Sequence, residues 1–265
     1  MEERLNKWLS RMGVCSRREA DRLIESGKVL VDGQTALMGQ KIREGQRVVC
    51  DGKPVSIGAS GEPEPVLLAV NKPRGIVCTT SDKDRAPNIV DFLGYPCRVY
   101  PVGRLDKDSE GLLLMTNQGD LVNKIMRSGN AHEKEYMVTI DQPVTDGFLK
   151  KMQSGIYLSE LKQITRPCKV RKKGERMFSI VLTQGLNRQI RRMCQACGCQ
   201  VTRLVRVRIM NIRLEGLETG SYRRIEKEEY RELLGLLEDS SSLSVKERKA
   251  GKKDRRAEWK TGSRE

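Results

Sequence analysis

The sequence predicts an α+β protein of two domains, the larger of which is built on a largely antiparallel sheet. Three observations predict this class. The chain has 265 residues, which exceeds the usual domain size of about 100–200 residues. Segments with strand-like and helix-like hydrophobic patterns are interleaved at hairpin-like spacing. A stretch rich in Pro and Gly, residues 53–65, has no hydrophobic periodicity and is predicted to be a linker.

Residues 3–52 are predicted to form the first domain. Apolar residues at helical spacing indicate a first helix that ends at Gly13. Ser16 and Glu19 have the spacing of a capping box, which opens a second helix. The dipeptide Asp32-Gly33 then predicts a hairpin turn between two short strands.

Two helices that lead into a small sheet, with basic side chains on the helices, resemble the S4 RNA-binding domain. The resemblance implies that these side chains bind RNA. The alternative is that they form only a solvated helix face. The basic residues concerned are Arg4, Lys7, Arg11, Arg17 and Arg18.

The second domain is predicted to span residues 66–238. Its strands are predicted at 66–70, 76–78, 98–102, 111–115, 134–140, 168–172, 177–183 and 200–207. Its helices are predicted at 88–93, 119–127, 145–153, 188–197 and 226–237. The tail, residues 239–265, is rich in Ser, Lys and Arg and lacks the apolar residues of a core, so we expect it to be basic and disordered.

The charge of the chain indicates its class of partner. The formal net charge is +15 and the pI is near 9.6. A protein this basic usually binds a polyanion, and nucleic acid is the first candidate. The sequence has no basic amphipathic helix, no lipidation motif, no signal peptide and no apolar run of the ~20 residues that span a bilayer. We therefore expect a cytoplasmic protein that does not bind membranes.

The eight cysteines fit a reducing compartment. Cys194, Cys197 and Cys199 have a spacing that could open a zinc or iron–sulfur site. A fourth ligand at metal spacing is missing, and the only histidine, His132, is distant in sequence. We therefore predict no metal and, because there is no Gly-rich phosphate-binding loop, no cofactor.

The candidate catalytic residue is Asp106. One apolar run ends at Val102 and the next begins at Leu112, so Asp106 lies on a charged loop between two predicted strands. Loops held between rigid strands often carry catalytic groups, and the cationic neighbours Arg104 and Lys107 favour an ionised carboxylate. The alternative is an ordinary solvated turn.

A second candidate segment runs from Arg188 to Arg213 and holds seven arginines without a lysine or an acid. Guanidinium groups are planar, forked donors suited to phosphate. The segment therefore predicts a surface that binds RNA, although several of its arginines are expected to be ordinary exposed side chains.

Several blocks in the same order resemble the RsuA/RluB/RluE/RluF family of pseudouridine synthases. Arg104-Leu105-Asp106, followed by Ser109-Glu110-Gly111-Leu112-Leu113-Leu114 and Thr116-Asn117-Gln118-Gly119-Asp120, resembles the family's catalytic signature. Asn71-Lys72-Pro73 and the run from Gln184 to Met193 are similar to its RluF branch. The resemblance extends from about Arg4 to about Leu237. It implies an S4-like domain followed by a pseudouridine synthase catalytic domain, whose central mixed sheet carries an RNA-binding cleft.

The resemblance also implies roles for individual residues. Asp106 is the essential catalytic residue, Tyr136 stacks on the target base, and Arg191 pairs with Asp106. Arg191 is preferred to Arg192 because adjacent helical residues point in different directions, so only one can face Asp106. The residues implied in substrate binding are Arg104, Leu105, Lys107, Asn187, Arg188, Gln189 and Leu204. Leu204 is equally compatible with an ordinary place in the core.

The implied activity is the isomerisation of a specific uridine in 23S ribosomal RNA to pseudouridine, by a monomer and without a cofactor. Glycoside hydrolysis usually needs two carboxylates, but here the uracil leaves through nitrogen and returns through carbon, so no water has to be activated. Asp106 acts either as a nucleophile or as the acceptor of a ribose proton, and the sequence leaves both open. Alternative substrates are 16S ribosomal RNA and a tRNA anticodon loop. The non-enzymatic alternative is an S4-type ribosome assembly factor.

Overall fold

The computed structural model describes residues 2–55, 64–79 and 87–240. The chain divides into two compact units. The first comprises Met1–Val66 with two short segments, Tyr95–Val99 and Asn117–Gly119. The second comprises Leu67–Gly94, Tyr100–Thr116 and Asp120–Glu265.

The two short segments belong to the first unit because they are hydrogen-bonded to it. Arg98 donates from Nη1 to the Cys15 carbonyl and, at 3.4 Å, to Ser10 Oγ. Asn117 Oδ1 accepts from the Val66 N–H at 2.9 Å. A single boundary along the chain, as predicted from the sequence, therefore does not describe this unit.

The N-terminal part of the first unit has two helices and two small sheets. Its helices are α1 (Leu5–Arg11) and α2 (Arg17–Glu25), and its strands are β1 (Glu2–Arg4), β2 (Val29–Val31), β3 (Gln34–Thr35), β4 (Lys41–Arg43), β5 (Val48–Cys50) and β6 (Lys53–Val55). The larger sheet has the order β3-β2-β5-β6, and β1 pairs with β4. Ser16 Oγ accepts from the Glu19 N–H at 3.1 Å, which confirms the predicted N-cap of α2.

The predicted linker, residues 53–65, does not begin where the sequence indicated. Its first three residues form β6, which pairs antiparallel with β5. Asp51 and Gly52 both have positive φ, at 48° and 74°, and such a pair closes a two-residue hairpin. Pro54 is tolerated because β6 is an edge strand. Residues 56–63 of the linker lie outside the described residues.

The second unit contains the predicted central sheet. Its strands are β7 (Leu67–Lys72), β8 (Tyr100–Val102), β9 (Glu110–Thr116), β10 (Lys134–Ile140), β11 (Tyr157–Leu158), β12 (Gln163–Ile164), β13 (Lys169–Gly174), β14 (Met177–Leu182), β15 (Val201–Ile209), β16 (Ile212–Arg213) and β17 (Tyr222–Arg224). Its helices are α3 (Ile89–Leu93), α4 (Gly119–Met126, whose first residue groups with the first unit), α5 (Asp146–Ser154), α6 (Gln189–Ala196) and α7 (Lys227–Leu236). The strand predicted at 76–78 is only an isolated bridge between Val77 and Asn88. None of the described helices is long and apolar enough to cross a bilayer.

The main sheet follows the order β13-β14-β10-β15-β9-β7-β17, with β8 beside β9 and β16 beside β15. The pair β9–β15 is parallel. The other pairs are antiparallel. This arrangement confirms the mixed, largely antiparallel sheet.

Two apolar cores hold the elements that flank the parallel pair. In one, Ile190 and Met193 of α6 pack with Val138 of β10. In the other, Leu112 and Leu114 of β9 pack with residues of α4 and α7. Burial therefore fixes α6 and β9. The loop before β9 and the start of α6 are directly attached to these fixed elements.

The parallel pair depends on a glycine. Gly111 has a φ of +100°, and a Cβ there would lie 2.4 Å from the carbonyl oxygen and 2.8 Å from the nitrogen of Arg206. Both are backbone atoms, so only glycine allows this approach. The contact sets Arg206 beside the loop that precedes β9.

The predicted disordered tail begins later than residue 239. Ser240 is buried, and its Oγ is hydrogen-bonded to His132 Nε2 at 2.7 Å. The first two residues of the tail therefore have a defined place after α7. Residues 241–265 lie outside the described residues.

Candidate active site

Asp106 lies on the loop between β8 and β9, as the sequence predicts, and lines a cavity of about 370 Å³. That volume falls within the range of small-molecule pockets, about 300–1,000 Å³. The side chain of Asp106 is 35% exposed, so it is neither sealed in the core nor fully in solvent. Every residue that lines this cavity belongs to the second unit.

The loop that carries Asp106 is held through its backbone by arginines from other elements. Arg206 Nη1 donates to the Arg104 carbonyl at 3.5 Å. Arg191 Nη2 and Arg74 Nε donate to the Asp108 carbonyl at 3.1 and 3.2 Å. Hydrogen bonds from charged donors are stronger than neutral ones, so these contacts fix the position of the loop.

Arg188, and not Arg191, is the cationic partner of Asp106. Arg188 Nη1 lies 3.6 Å from Asp106 Oδ2. Arg188 also donates to both carboxylate oxygens of Asp108, at 3.3 and 3.1 Å. The ion pair of Arg191 is with Asp108, at 3.4 Å, and its remaining bonds go to the Val201 carbonyl, the Asp108 carbonyl and Ser109 Oγ. The direct ion pair of Asp106 is thus with Arg188, whereas Arg191 pairs with Asp108 and interacts with Asp106 only through its charge. A role of Arg191 in orienting Asp106 stays a prediction.

The conformation at the start of α6 accounts for the position of Arg188 near Asp106. Arg188 is the N-cap residue and has a left-handed backbone, with φ 48° and ψ 34°. This conformation turns its side chain out of the helical periodicity on which the prediction relied. Arg192 points elsewhere, as expected, and pairs with Glu160.

Asp108 was not predicted, yet it links the loop to α6. Burial raises the pKa of this carboxyl, but the hydrogen bonds from Arg188 and the charges of Arg191 and Arg188 outweigh it, so the pKa lies below its ordinary value. Asp108 is therefore ionised at neutral pH and pairs with the guanidinium groups of Arg188 and Arg191, two residues that line the cavity.

Most of the other predicted residues line the cavity. Tyr136 is half-buried and packs against the core beneath it, and Leu204 is 6% exposed. Gln189 is buried, donates to Met193 Sδ and accepts from the Leu186 N–H, so its hydrogen bonds shape the loop before α6. Its predicted contact with RNA stays a prediction. The cavity lining includes Arg104, Leu105, Tyr136, Asn187, Arg188, Gln189 and Leu204.

Lys107 does not line the cavity. It is exposed, and its carbonyl accepts from the Gly75 N–H at 2.8 Å. Its predicted contact with RNA therefore has to be made outside the cavity.

Sequence reasoning missed three buried cations near Asp106. Lys72, Lys134 and Arg206 are 0%, 5% and 1% exposed. Lys134 and Arg206 line the cavity. Strand periodicity could have found Lys134, because it lies two residues before Tyr136 and hence on the same face of β10.

The arginine-rich segment is mostly neutralised by acids from other elements, which sequence analysis did not anticipate. Of its seven arginines, only Arg206 has no acidic partner among the described residues. The six ion pairs are Arg188–Asp108, Arg191–Asp108, Arg192–Glu160, Arg203–Glu110, Arg208–Glu133 and Arg213–Glu215.

The cysteine cluster has no sign of a metal site. Cys194 and Cys199 are buried, and the Cys199 thiol donates to the Cys194 carbonyl at 3.3 Å. Within the described parts of the chain, no group of three or more His, Cys, Asp or Glu side chains is arranged to hold a metal ion. The absence of a metal and of a cofactor stays a prediction.

In the first unit, the predicted RNA-binding residues differ in exposure. Arg4, Arg17 and Arg18 are exposed, and Lys7 is partly buried. Arg11 is partly buried and pairs with Glu3. An RNA role for this face stays a prediction.

Comparison with known proteins gives consistent matches over nearly the whole chain. The RNA pseudouridylate synthase family matches residues 66–196, and the S4 domain matches residues 3–48. The dual-specificity RNA pseudouridine synthase RluF of Escherichia coli K12 is 50% identical over 239 residues, which cover 90% of this chain and 81% of the relative. The ribosomal large subunit pseudouridine synthase B of Bacillus subtilis is 35% identical over 242 residues, which cover 88% and 96%. A crystal structure of a pseudouridylate synthase superposes with a TM-score of 0.63 at 28% identity and covers 87% of this chain and 99% of its own.

Proposed function

The chain belongs to the RNA pseudouridylate synthase family and is an RNA isomerase, and we propose that it converts a specific uridine of 23S ribosomal RNA with Asp106 as its one catalytic carboxylate. The observation that supports this role is the placement of Asp106. Its side chain is 35% exposed on a loop fixed by arginines, at a cavity of about 370 Å³, with Arg188 3.6 Å away.

The reaction can proceed with these groups alone. The bond between C1′ and N1 breaks, and the uracil leaves with the electron pair. After the ring rotates, C5 bonds to C1′, the proton on C5 is lost, and N1 gains a proton. Asp106 either attacks C1′ or accepts a ribose proton, and both roles need the carboxylate to be held in place, which the contact with Arg188 and the fixed loop provide. No water or cofactor enters this balance.

The target uridine has to leave its stack to reach Asp106, at a cost of roughly a few kcal/mol. Stacking on Tyr136 offsets about 1–3 kcal/mol of that cost. The exposed basic side chains of the first unit, among them Arg17 and Arg18, supply further contacts with RNA phosphates. Contacts with one base in the cavity and with phosphates at the first unit suit an RNA that is recognised mainly by shape.

A tRNA anticodon loop is the second substrate that we propose. The support is the name of the Escherichia coli relative, which describes a dual-specificity enzyme. A monomeric, cytoplasmic protein is part of the same proposal.

The test of the catalytic role compares Asp106→Asn with Asp146→Asn, an exposed carboxylate at the start of α5. Tritium release from 5-³H-uridine in 23S ribosomal RNA measures turnover, and filter binding measures affinity. Asp106→Asn is expected to lose roughly 10²–10⁴-fold in rate or more while the RNA affinity stays close to wild type. Asp146→Asn should behave as wild type.

The outcomes separate the proposals. Full activity of Asp106→Asn would overturn the catalytic role. Pseudouridine mapping in cells with and without the gene identifies the RNA, and a site lost from 16S ribosomal RNA alone would overturn the choice of 23S. A wild-type protein that binds RNA without releasing tritium from any of the three RNAs would instead indicate an assembly factor.

A further inference from the structure

The charges buried in the described part of the chain are all positive. The buried charged residues are Lys72, Lys134 and Arg206, and no carboxylate is buried with them. A buried charge is costly unless it is paired, so proteins seldom keep one without an anionic partner. Lys72 donates to two carbonyls, those of Pro73 and Ile76, both at 2.9 Å, and it does not line the cavity. The two remaining buried cations, Lys134 and Arg206, line the cavity and have no anionic partner among the described residues.

Lys134 and Arg206 face the same side of the sheet as Tyr136. Arg206 on β15 is the register partner of Tyr136 on β10, and Lys134 precedes Tyr136 by two residues. Side chains at such positions share one face of a sheet. All three line the cavity that contains Asp106.

Both cations have donors to spare. Within the described residues, the Lys134 ammonium makes one hydrogen bond, to the His132 carbonyl at 3.3 Å, although it carries three protons. Arg206 uses Nε on the Leu112 carbonyl at 2.7 Å and Nη1 on the Arg104 carbonyl, while its buried Nη2 has no partner among the described residues. Two side chains that line the cavity therefore carry N–H groups that are not used within the described residues.

Burial and the nearby charge of Arg206 lower the pKa of Lys134 to about 8. The folded protein thus keeps Lys134 in a place that disfavours its own charge. An anion that entered the cavity would offset this cost.

The reaction generates such an anion. When the C1′–N1 bond breaks, the bonding pair stays on the uracil, and its charge spreads from N1 to the carbonyl oxygens O2 and O4. The charge persists until C5 bonds to C1′, whichever role Asp106 plays. Donors that are fixed in advance and aimed at developing charge give the largest single contribution in many enzymes.

We propose that Lys134 and the unused Nη2 of Arg206 bind a carbonyl oxygen of the departing uracil and stabilise its negative charge. The proposal rests on the proposed function and assigns two catalytic residues to the same cavity. A backbone phosphate is the other anion that RNA offers. The 5% and 1% exposure of the two side chains, beside Tyr136 and Leu204, favours the base over a solvated phosphate.

The experiment uses Lys134→Met, which keeps the length of the side chain and removes its charge, in the full chain. Lys150→Met on the exposed face of α5 is the matched control. Single-turnover rates at saturating RNA are expected to fall about 10²–10³-fold for Lys134→Met and to stay unchanged for Lys150→Met. Lys134→Arg, which keeps the charge, should recover part of the rate. Lys134→Met should melt no lower than wild type, because it removes an unpaired buried charge.

A second substrate tests for charge on the ring. Fluorine at C5 withdraws electrons and stabilises the uracil anion by itself, so an RNA with 5-fluorouridine at the target depends less on Lys134. C5 of this nucleotide carries fluorine instead of a proton, so the rearranged ring adds water at C6 and the product is heavier by one water. Formation of this product, followed by mass spectrometry, should show a ratio of wild-type to Lys134→Met rates at least about tenfold smaller than with uridine. Equal ratios for the two RNAs would overturn the proposal, as would a Lys134→Met variant with wild-type rate.

The remaining outcomes are also decisive. A variant whose RNA affinity falls while its saturated rate stays normal would assign Lys134 to a phosphate and overturn the proposal. Failure of the wild-type protein to act on uridine would overturn the proposed function, which is a different result from failure of the variant comparison.

Discussion

Arg188, the N-cap residue of α6, and Arg191 in its first turn are predicted to respond in different ways to loss of charge. Arg191 is 13% exposed in its side chain and donates to the Val201 and Asp108 carbonyls, both at 3.1 Å. Hydrogen bonds from a charged group contribute about 1.5–3 kcal/mol each. Arg191→Gln is therefore expected to lower the free energy of unfolding by about 3 kcal/mol or more.

Arg188 is 43% exposed, so each of its ion pairs contributes only about 0.2–1 kcal/mol to stability. Asn tolerates the left-handed backbone at this position, which makes Arg188→Asn the suitable variant. With two such pairs, to Asp106 and Asp108, it is expected to lower the free energy of unfolding by less than about 2 kcal/mol. It should slow the single-turnover reaction by about fivefold or more, because Asp106 loses its cationic partner.

Urea unfolding followed by circular dichroism measures the first effect, and tritium release at saturating RNA measures the second. Arg191→Gln is expected to shift the unfolding midpoint further than Arg188→Asn does. If instead Arg188→Asn reacts at the wild-type rate while Arg191→Gln is inactive at unchanged stability, Arg191 is the partner of Asp106 and the reasoning from the structure is refuted.

Two further predictions concern the sheet and Lys134. Gly111→Ala places a Cβ 2.4 Å from the Arg206 carbonyl oxygen, whereas Gly216→Ala at a similar φ of +73° meets open space. Urea unfolding should show that Gly111→Ala lowers the free energy of unfolding by about 2–4 kcal/mol more than Gly216→Ala, since both share the backbone strain. Equal losses of free energy in the two variants would contradict the close approach of β9 and β15. The pKa of Lys134 is lowered from an ordinary value of 10.5 to about 8, so between these pH values the unfolded chain binds more protons than the folded one. The wild-type free energy of unfolding is thus expected to contain a component that rises with pH over this range and is missing in Lys134→Met. If the free energy of unfolding depends on pH in the same way in both proteins, Lys134 is not desolvated.

Local patterns were sufficient for most of the secondary structure. The strand predicted at 134–140 is β10. It could be predicted because the alternation of polar and apolar residues and the residues that flank the strand are local features of the sequence. The turn Asp32-Gly33 and the N-cap Ser16 are short-range features of the same kind. Edge strands such as β6 and β17 were missed, since pairing with a neighbour decides them and their own sequences do not.

The tail shows the same limit. Composition predicted disorder from residue 239, yet Ser240 is buried because His132, more than a hundred residues earlier, offers a hydrogen-bond partner. Composition describes the average of a segment and does not register one distant contact.

The sequence by itself determined the family, the two-part architecture and the loop position of Asp106, because ordered motifs and hydrophobic periods are properties of adjacent residues. Only the tertiary structure decided that Arg188 is the partner of Asp106, since that ion pair spans about eighty residues and depends on how α6 begins. It also decided that six arginines are neutralised and that Lys134 and Arg206 are buried without an acid. The sequence gives the number of charged residues, but folding determines which of them form ion pairs. The electrostatic energy of each charge depends on the neighbours that lie within a few ångströms of it and on its burial.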